Sequence, residues 1–536
     1  MHIDLQSPWG LMYGLLPEVV LTLWSLVVLS VIALRHKTEQ DSRLAGWLTV
    51  VGILLAALAN FWLWFQDARP AGIAHMVALD TFRYGGEGLV LFVAGGSSLL
   101  SLRFLGRQRL WAPEYYALLL FATIGMQLLV AANDLMLLFL GLEIMSVSLY
   151  VMAGFDRFRR SSAEAALKYF LIGAFASAFF LYGVALLYGA TGQTNLSLIG
   201  AQLSSSPGGV LPRIGLALLL IGFGFKVAAV PFHMWTPDVY DGAPTPVTGF
   251  MATGVKTAAF AALIRLLHDG LPMLVDVWQP IILALALLSI IVGNVVALAQ
   301  RSLKRLLAYS SIAHAGYLLA AVWTNSELGR AAAILYLAAY GITSLAAFGV
   351  LAAVERVGSR TVMLDDIEGL FRHRPWGALA MSVCLLSLLG FPGTFGFIGK
   401  WYIISAVLEQ NQYTLAIAVG LGSLLSLGYY LPVIMGMTMK PERAPDAHRQ
   451  VQFSRAGKAI IATAVAVNLL FGVWPRVLLS LAEKSVRSLR TEYVQTAGAG
   501  GTVERENGGT GEQGKSGTVE QGNGETGGPA IDRSAR

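Results

Sequence analysis

The sequence predicts an all-α polytopic membrane protein with about fourteen transmembrane helices. Three observations carry that prediction. The chain is 55% hydrophobic and only 13% charged, about half the charge of a soluble protein. Fourteen apolar runs have the length, ~20 residues, that a helix needs to cross the hydrocarbon core. Within each run the apolar residues are continuous rather than alternating, which excludes a transmembrane β-barrel.

The runs fall at about residues 11–34, 44–65, 80–102, 115–132, 134–154, 164–189, 211–230 (extending towards 240), 247–267, 277–298, 305–324, 330–354, 376–404, 409–435 and 457–480. The first is too long for a signal-peptide core and no basic flank precedes it, so a cleaved leader is not expected. With the segments numbered alternately from an outer N-terminus, the loops assigned to the cytoplasm hold twenty-two of the 38 Lys and Arg residues. The opposite side and its helix ends hold nine, among them Arg83, Arg265 and Arg330, and the C-terminal tail holds four. A miscounted span would mix the two sets from that point on. The positive-inside rule therefore supports fourteen helices with both termini on the outer, periplasmic side of the cell inner membrane. One inner loop departs from the pattern: Phe232–Pro246 contains neither Lys nor Arg.

Residues 490–536 have a different character. They are rich in Gly, Glu, Thr and Ser, repeat GTVE at Gly501 and Gly517, and hold almost no large apolar residue. Such a segment cannot bury a core and is expected to be disordered. Gly509–Ser516, GTGEQGKS, fits the phosphate-loop pattern. The pattern binds phosphate only between a strand and a helix, and neither is expected there. The one cysteine, Cys384, lies inside an apolar run; this rules out intrachain disulfides and any Cys-based metal or iron–sulfur site.

The accounting of cations leaves three lysines, Lys226, Lys256 and Lys400, all inside apolar spans. Glu143 and His314 also lie near the middle of theirs. A charged residue at the centre of a bilayer costs about 2.5–3.5 kcal/mol on insertion scales, so an ionisable group held there marks an ion or proton path. Snorkelling residues would cluster at helix ends; these groups share a depth across several spans, which favours a connected polar layer. Desolvation favours the neutral amine and a nearby carboxylate favours the ammonium, so Glu143 beside Lys226 holds a proton that their separation releases. Lys256, His314 and Lys400 then pass it on through buried water.

Two spans are interrupted, the seventh at Pro231 and the twelfth at Gly390, Pro392, Gly393 and Gly396. A proline in a membrane helix frees backbone groups that neighbours must satisfy. The interrupted spans lie five apart and each carries a lysine near its break. Five is odd, so helices 4–8 and 9–13 run in opposite senses, as two inverted five-helix repeats with discontinuous helices 7 and 12. The chain then divides into an N-terminal three-helix segment (1–110), a first repeat (111–270), a second repeat (271–440), a final helix (441–489) and the tail (490–536).

The stretches NDLMLLFLGLEIMSVSLYVMAGF around Glu143, GFGFKVAAVPFHMWTPDVYDGAPTPVTGFMATGVKTAAF around Lys226 and Lys256, RLLAYSSIAHAGY around His314 and LLGFPGTFGFIGKW around Lys400 form a specific set. It resembles the antiporter-like, proton-translocating membrane subunits of respiratory complex I, the NADH:quinone oxidoreductase. Lysine rather than glutamate at 400 points to the N branch of that family over the paralogous M branch. The long lateral helix of the L branch has no counterpart here. The resemblance implies the inverted-repeat fold, Glu143 and Lys226 as the charge pair, Lys256 as the central relay and Lys400 near the outlet. It also implies no cofactor in this chain: NADH, FMN, iron–sulfur clusters and quinone would belong to partner subunits, which include paralogous antiporter-like chains. Two other readings share features of this pattern. A subunit of a multisubunit Na⁺/H⁺ antiporter would have the same Glu/Lys pair, and a stand-alone solute transporter would use Phe232, His233 and Trp235 at a break as a pocket. A purely structural scaffold leaves the mid-depth charges without a reason.

Overall fold

The computed structural model describes residues 2–503, apart from 4, 6, 36–37, 67–68, 71–74, 206–208, 357–360, 443–450 and 452. Twelve helices among them are long and apolar enough to cross a membrane. They are α1 (Leu16–Leu34), α2 (Glu39–Phe65), α3 (Thr81–Arg107), α4 (Glu114–Ala131), α5 (Leu135–Ala153), α6 (Arg160–Thr191), α8 (Thr245–Gly270), α9 (Pro272–Ala297), α10 (Leu303–Trp323), α11 (Glu327–Val354), α13 (Tyr413–Met439) and α14 (Arg455–Val473). Two further stretches are pairs of shorter helices separated by a break. One is α7a (Leu211–Val227) followed by α7b (Thr236–Gly242). The other is α12a (Pro375–Leu389) followed by α12b (Phe395–Glu409). The chain is thus an all-α multi-pass membrane protein, interrupted where the sequence places Pro231 and Pro392–Gly393.

Polar side chains at the helix ends satisfy the exposed first-turn amides. Asp80, Asp134, Ser302, Ser326 and Ser454 cap α3, α5, α10, α11 and α14, and Thr38 with Asp41 forms a capping box on α2. Some boundaries differ from the sequence expectation. The final span stops at Val473 rather than near 480, because Pro475 cannot continue the helix. A last helix, α15 (Arg476–Val503), then runs past residue 490, where the tail was expected to begin. Residues 504–536, with the phosphate-loop pattern, lie outside the described residues.

Burial sorts the helices. α8, α10 and α11 are almost wholly enclosed, whereas α1, α6, α13 and α14 turn most of their surface outward. The exposed side chains on the outward group are large and apolar, such as Leu23, Phe175, Leu424 and Leu470, as a lipid or subunit contact requires. Between membrane helices, small residues let backbones approach. Gly125 of α4 and Gly141 of α5 meet in this way: a Cβ on Gly125 would lie 2.3 Å from the amide nitrogen of Met145. Gly293 of α9 makes the corresponding approach to Ala313 of α10, at 2.5 Å.

A bulky residue at the α4–α5 crossing must push the two backbones apart. Gly125→Val is expected to lower stability by about 1–3 kcal/mol, read as a lower unfolding temperature in detergent. Gly420→Ala, which meets nothing within 4 Å, serves as the neutral comparison.

Candidate functional site

The structure brings the five ionisable residues singled out above into the interior of the bundle. Glu143 is half-buried on α5 and accepts a hydrogen bond from the Ser177 hydroxyl of α6. One turn along α5, the Ser146 hydroxyl accepts a hydrogen bond of 2.6 Å from the Lys226 ammonium. Lys226 is 3% exposed and occupies the last turn of α7a. The rings of Tyr150, Tyr169 and Phe225 lie 5.5, 5.7 and 5.2 Å from its nitrogen, within reach of a cation–π attraction. Glu143 and Lys226 act on each other electrostatically, but among the described residues no ion pair closes between them. Each charge is held by a serine.

The break beyond Lys226 is closed by its neighbours. Ala228 takes the left-handed conformation, φ 61°, and the chain leaves the helix. The Ala229 amide still reaches the Gly224 carbonyl at 2.8 Å. Trp235 Nε1 donates to the Phe225 carbonyl at 3.2 Å, and the Val230 amide donates to Ser289 Oγ of α9 at 2.9 Å. Pro231 has no amide hydrogen to satisfy. His233 and Trp235 belong to this closure; Trp235 stacks on Tyr169 at 4.5 Å.

Lys256 is 1% exposed. It follows directly on a π-helical turn, Met251–Val255, inside α8, a feature that often accompanies functional sites. Its ammonium donates to the Ser311 carbonyl of α10 and lies 5.4 Å from the Tyr340 ring of α11. His314, 2% exposed, sits between the hydroxyls of Tyr336 and Tyr430. Lys400, 4% exposed, donates to the carbonyls of Leu388 and Leu389 at 2.9 Å each, and the Tyr317 ring lies 4.8 Å from it. Those carbonyls end α12a, so the ammonium sits on the negative end of a helix dipole. It does not snorkel to a surface.

Ser311, His314 and Tyr317 recur at three-residue intervals and share one face of α10. Lys256 touches the first, and Lys400 faces the last. One helix face therefore links the two lysines through His314, whose ring lies 5.5 Å from that of Tyr317. Sequence reasoning missed this face, together with Ser146, Ser177, Tyr336, Tyr340 and Tyr430. Its available signal was tyrosine in the middle of spans, away from the interface where tyrosine is usual.

Sequence reasoning also missed a second set of buried charges. Arg83 and Arg265, counted as outer helix-end residues, and Lys304, counted in an inner loop, are all 0% exposed. Arg83 pairs with Glu18 at 2.9 Å, Arg265 with Asp80 at 2.8 Å, and Lys304 with Glu355 at 3.7 Å. The cation-free loop finds its positive charges in neighbouring elements. Asp238 within it receives Lys168 at 2.7 Å and Arg305 at 2.8 Å. Among the described residues, no three His, Cys, Asp or Glu side chains gather as a metal site would require.

Residues 132–426 match the NADH:quinone oxidoreductase/Mrp antiporter transmembrane family. The chain is 41% identical to NADH-quinone oxidoreductase subunit N of Gemmatimonas aurantiaca over 500 residues, covering 90% of this chain and 95% of that one. It superposes on a chain of respiratory complex I from Thermus thermophilus with a TM-score of 0.73 and 35% identity, covering 87% of this chain and 99% of that one. It also shares its fold with a chain of the Mrp complex from Dietzia sp., at a TM-score of 0.77 and 20% identity, covering 91% and 99%.

Lys400→Met would leave the Leu388 and Leu389 carbonyls without their donor. The expected loss is about 1–3 kcal/mol, seen as a lower unfolding temperature in detergent. Unchanged stability would show that the α12 break does not depend on the ammonium.

Proposed function

The chain belongs to the NADH-quinone oxidoreductase subunit N family, and on that premise we propose that it is a proton-translocating membrane subunit of that enzyme. Partner subunits pass electrons from NADH to quinone, and this chain moves protons in response. The observation that carries the reading is the placing of buried Lys256, His314 and Lys400 around α10, against Ser311, beside Tyr317 and over the Tyr317 ring respectively, with the Glu143–Lys226 site as a further pair of ionisable groups. A path of separate charges strung along several helices suits a proton wire better than a solute pocket.

Glu143 and Lys226 form the charge pair, with Ser177 as the partner of the first and Ser146 of the second. A movement of α5 against α6 or α7a changes the distance between the charges and so the hold on the Lys226 proton. Lys256 is the central relay, His314 the link and Lys400 the residue nearest the outlet. Pro231, Pro392 and Gly393 supply the breaks that let side chains replace backbone partners. The small-residue crossings of α4 with α5 and of α9 with α10 support the division into inverted repeats over helices 4–8 and 9–13. With the two broken spans added to the twelve continuous ones, the count reaches fourteen. That division corresponds to segments 1–110, 111–270, 271–440 and 441–489, followed by a tail from 490.

The proposed setting is the cell inner membrane, with both termini periplasmic and with paralogous antiporter-like subunits as neighbours. NADH, FMN, iron–sulfur clusters and quinone are placed in partner subunits, and the chain acts as part of the enzyme without a redox centre of its own. A subunit of a Na⁺/H⁺ antiporter is the second reading, favoured by the shared fold alone.

Lys226→Ala tests the two. In membranes where the assembled complex is verified on a native gel, both proton pumping and NADH:quinone electron transfer are expected to fall. Full pumping by the assembled variant would remove Lys226 from the path. Untouched NADH oxidation with loss of Na⁺-linked pH changes would replace the reading by the antiporter.

A further inference from the structure

The N-terminal three helices contribute no residue to the lysine line, yet they enclose charges of their own. Arg83, in the first turn of α3, is 0% exposed. Its guanidinium donates to both oxygens of Glu18 on α1, at 2.9 and 3.1 Å, to the Ala78 carbonyl at 3.0 Å, and to Oε1 of Glu87 one turn along α3. Glu18 and Glu87 are 3% and 0% exposed. Two buried carboxylates thus share one guanidinium. With both ionised, the cluster would hold an uncompensated negative charge away from water, which is strongly disfavoured. Arg265 of α8 is itself engaged by Asp80, the cap of α3, and by Asp269.

The oxygens left over tell the same story. Glu87 Oε2 is fully buried and no donor faces it; the Glu87 and Glu18 carboxyls are held on Nε and Nη2 of the one Arg83 guanidinium. Two carboxyls hydrogen-bond to each other only when one carries a proton. Two more buried acceptors without donors surround the same stretch of α3: Oδ1 of Asn60, whose amide donates to the Tyr84 carbonyl, and Oε1 of Gln127, whose amide donates to the Glu87 carbonyl. Buried acceptors of this kind are satisfied by bound water in native proteins. The cluster also adjoins the helix that carries Lys256. At Gly86, next to Glu87, a Cβ would meet Val130 of α4 at 2.9 Å and Ala261 of α8 at 4.0 Å.

We propose that the Glu18–Glu87 pair is a proton-binding site, holding one proton between its carboxyls, and that this proton exchanges with the Lys256 region of the transport path. The first part stands on the two buried carboxyls sharing one guanidinium and on the buried Glu87 Oε2 without a donor; the second rests on the proton-transport reading.

The test uses the assembled complex carrying the full chain. Glutamine reproduces a neutral, protonated glutamic acid, so Glu87→Gln is expected to assemble normally. The infrared difference between native and Glu87→Gln complexes is expected to show a protonated carboxylic acid carbonyl band that shifts in heavy water. A difference containing only ionised carboxylate bands would overturn the site. Should Glu87→Gln fail to assemble, Glu18→Gln reports the same band from the other partner. For the link to transport, the protons pumped per NADH oxidised are expected to fall in Glu87→Gln. A native ratio with the band lost would sever the site from the path while leaving the proton in place. Because the infrared band is read without turnover, its absence is distinguishable from a failure of the transport reading, which Lys226→Ala decides.

Discussion

Two helices end within the packed bundle, at Val227 and at Leu389, and the rest of the structure answers the backbone groups they expose. In lipid no water is at hand, and each unsatisfied amide or carbonyl costs several kcal/mol. The seventh span resolves this with an indole, a serine of α9 and a proline that has nothing to donate. The twelfth uses the Lys400 ammonium itself. At that break the side chain that carries the charge also closes the chain, by donating to the two carbonyls that end α12a.

α10 is the helix on which the two halves of the polar layer depend. It is enclosed almost throughout its length, which removes lipid from its neighbourhood and lets three polar positions at three-residue intervals face inward. Tyrosine hydroxyls supply the contacts around them: Tyr336 and Tyr430 on His314, Tyr340 on Ser311 at 2.9 Å, and Tyr317 beside Lys400 with an Asn294 amide on its hydroxyl at 3.1 Å. A phenol is both donor and acceptor, so these hydroxyls give the buried His314 ring and Ser311 hydroxyl their partners, while the rings of Tyr340 and Tyr317 lie over Lys256 and Lys400.

Much of this was legible in the sequence. A single lysine in an apolar run stands out, and Pro231 and the Pro392–Gly393 pair interrupt helices wherever they occur. Hence the spans, the breaks and the five ionisable residues could be read directly. What could not be read is which side chain stands opposite which. Glu143 was expected beside Lys226; which serine each would meet was not legible, and Lys226, leaving the last turn of α7a, meets Ser146 one turn along α5 from Glu143, while Glu143 meets Ser177 of α6. Serines and tyrosines are common in such helices and give no sign of their partners. Arg83, Arg265 and Lys304 were hidden for another reason. Near the end of a span, a cation looks interfacial from sequence, and only the packing of neighbouring helices over it reveals burial. The stop at Val473 was available in Pro475 but was outweighed by the apolar residues that follow it.

The cation-free stretch from Phe232 to Pro246 has a consequence for biogenesis. A nascent hairpin normally carries the lysines and arginines that decide which side of the membrane retains it. This one carries only acids, Asp238 and Asp241, and Asp238 finds Lys168 and Arg305 on two flanking helices, one made before it and one after. During synthesis the hairpin is therefore oriented by its neighbours: the earlier partner emerges from the ribosome first, and the later one locks the arrangement once its own helix has entered the bilayer.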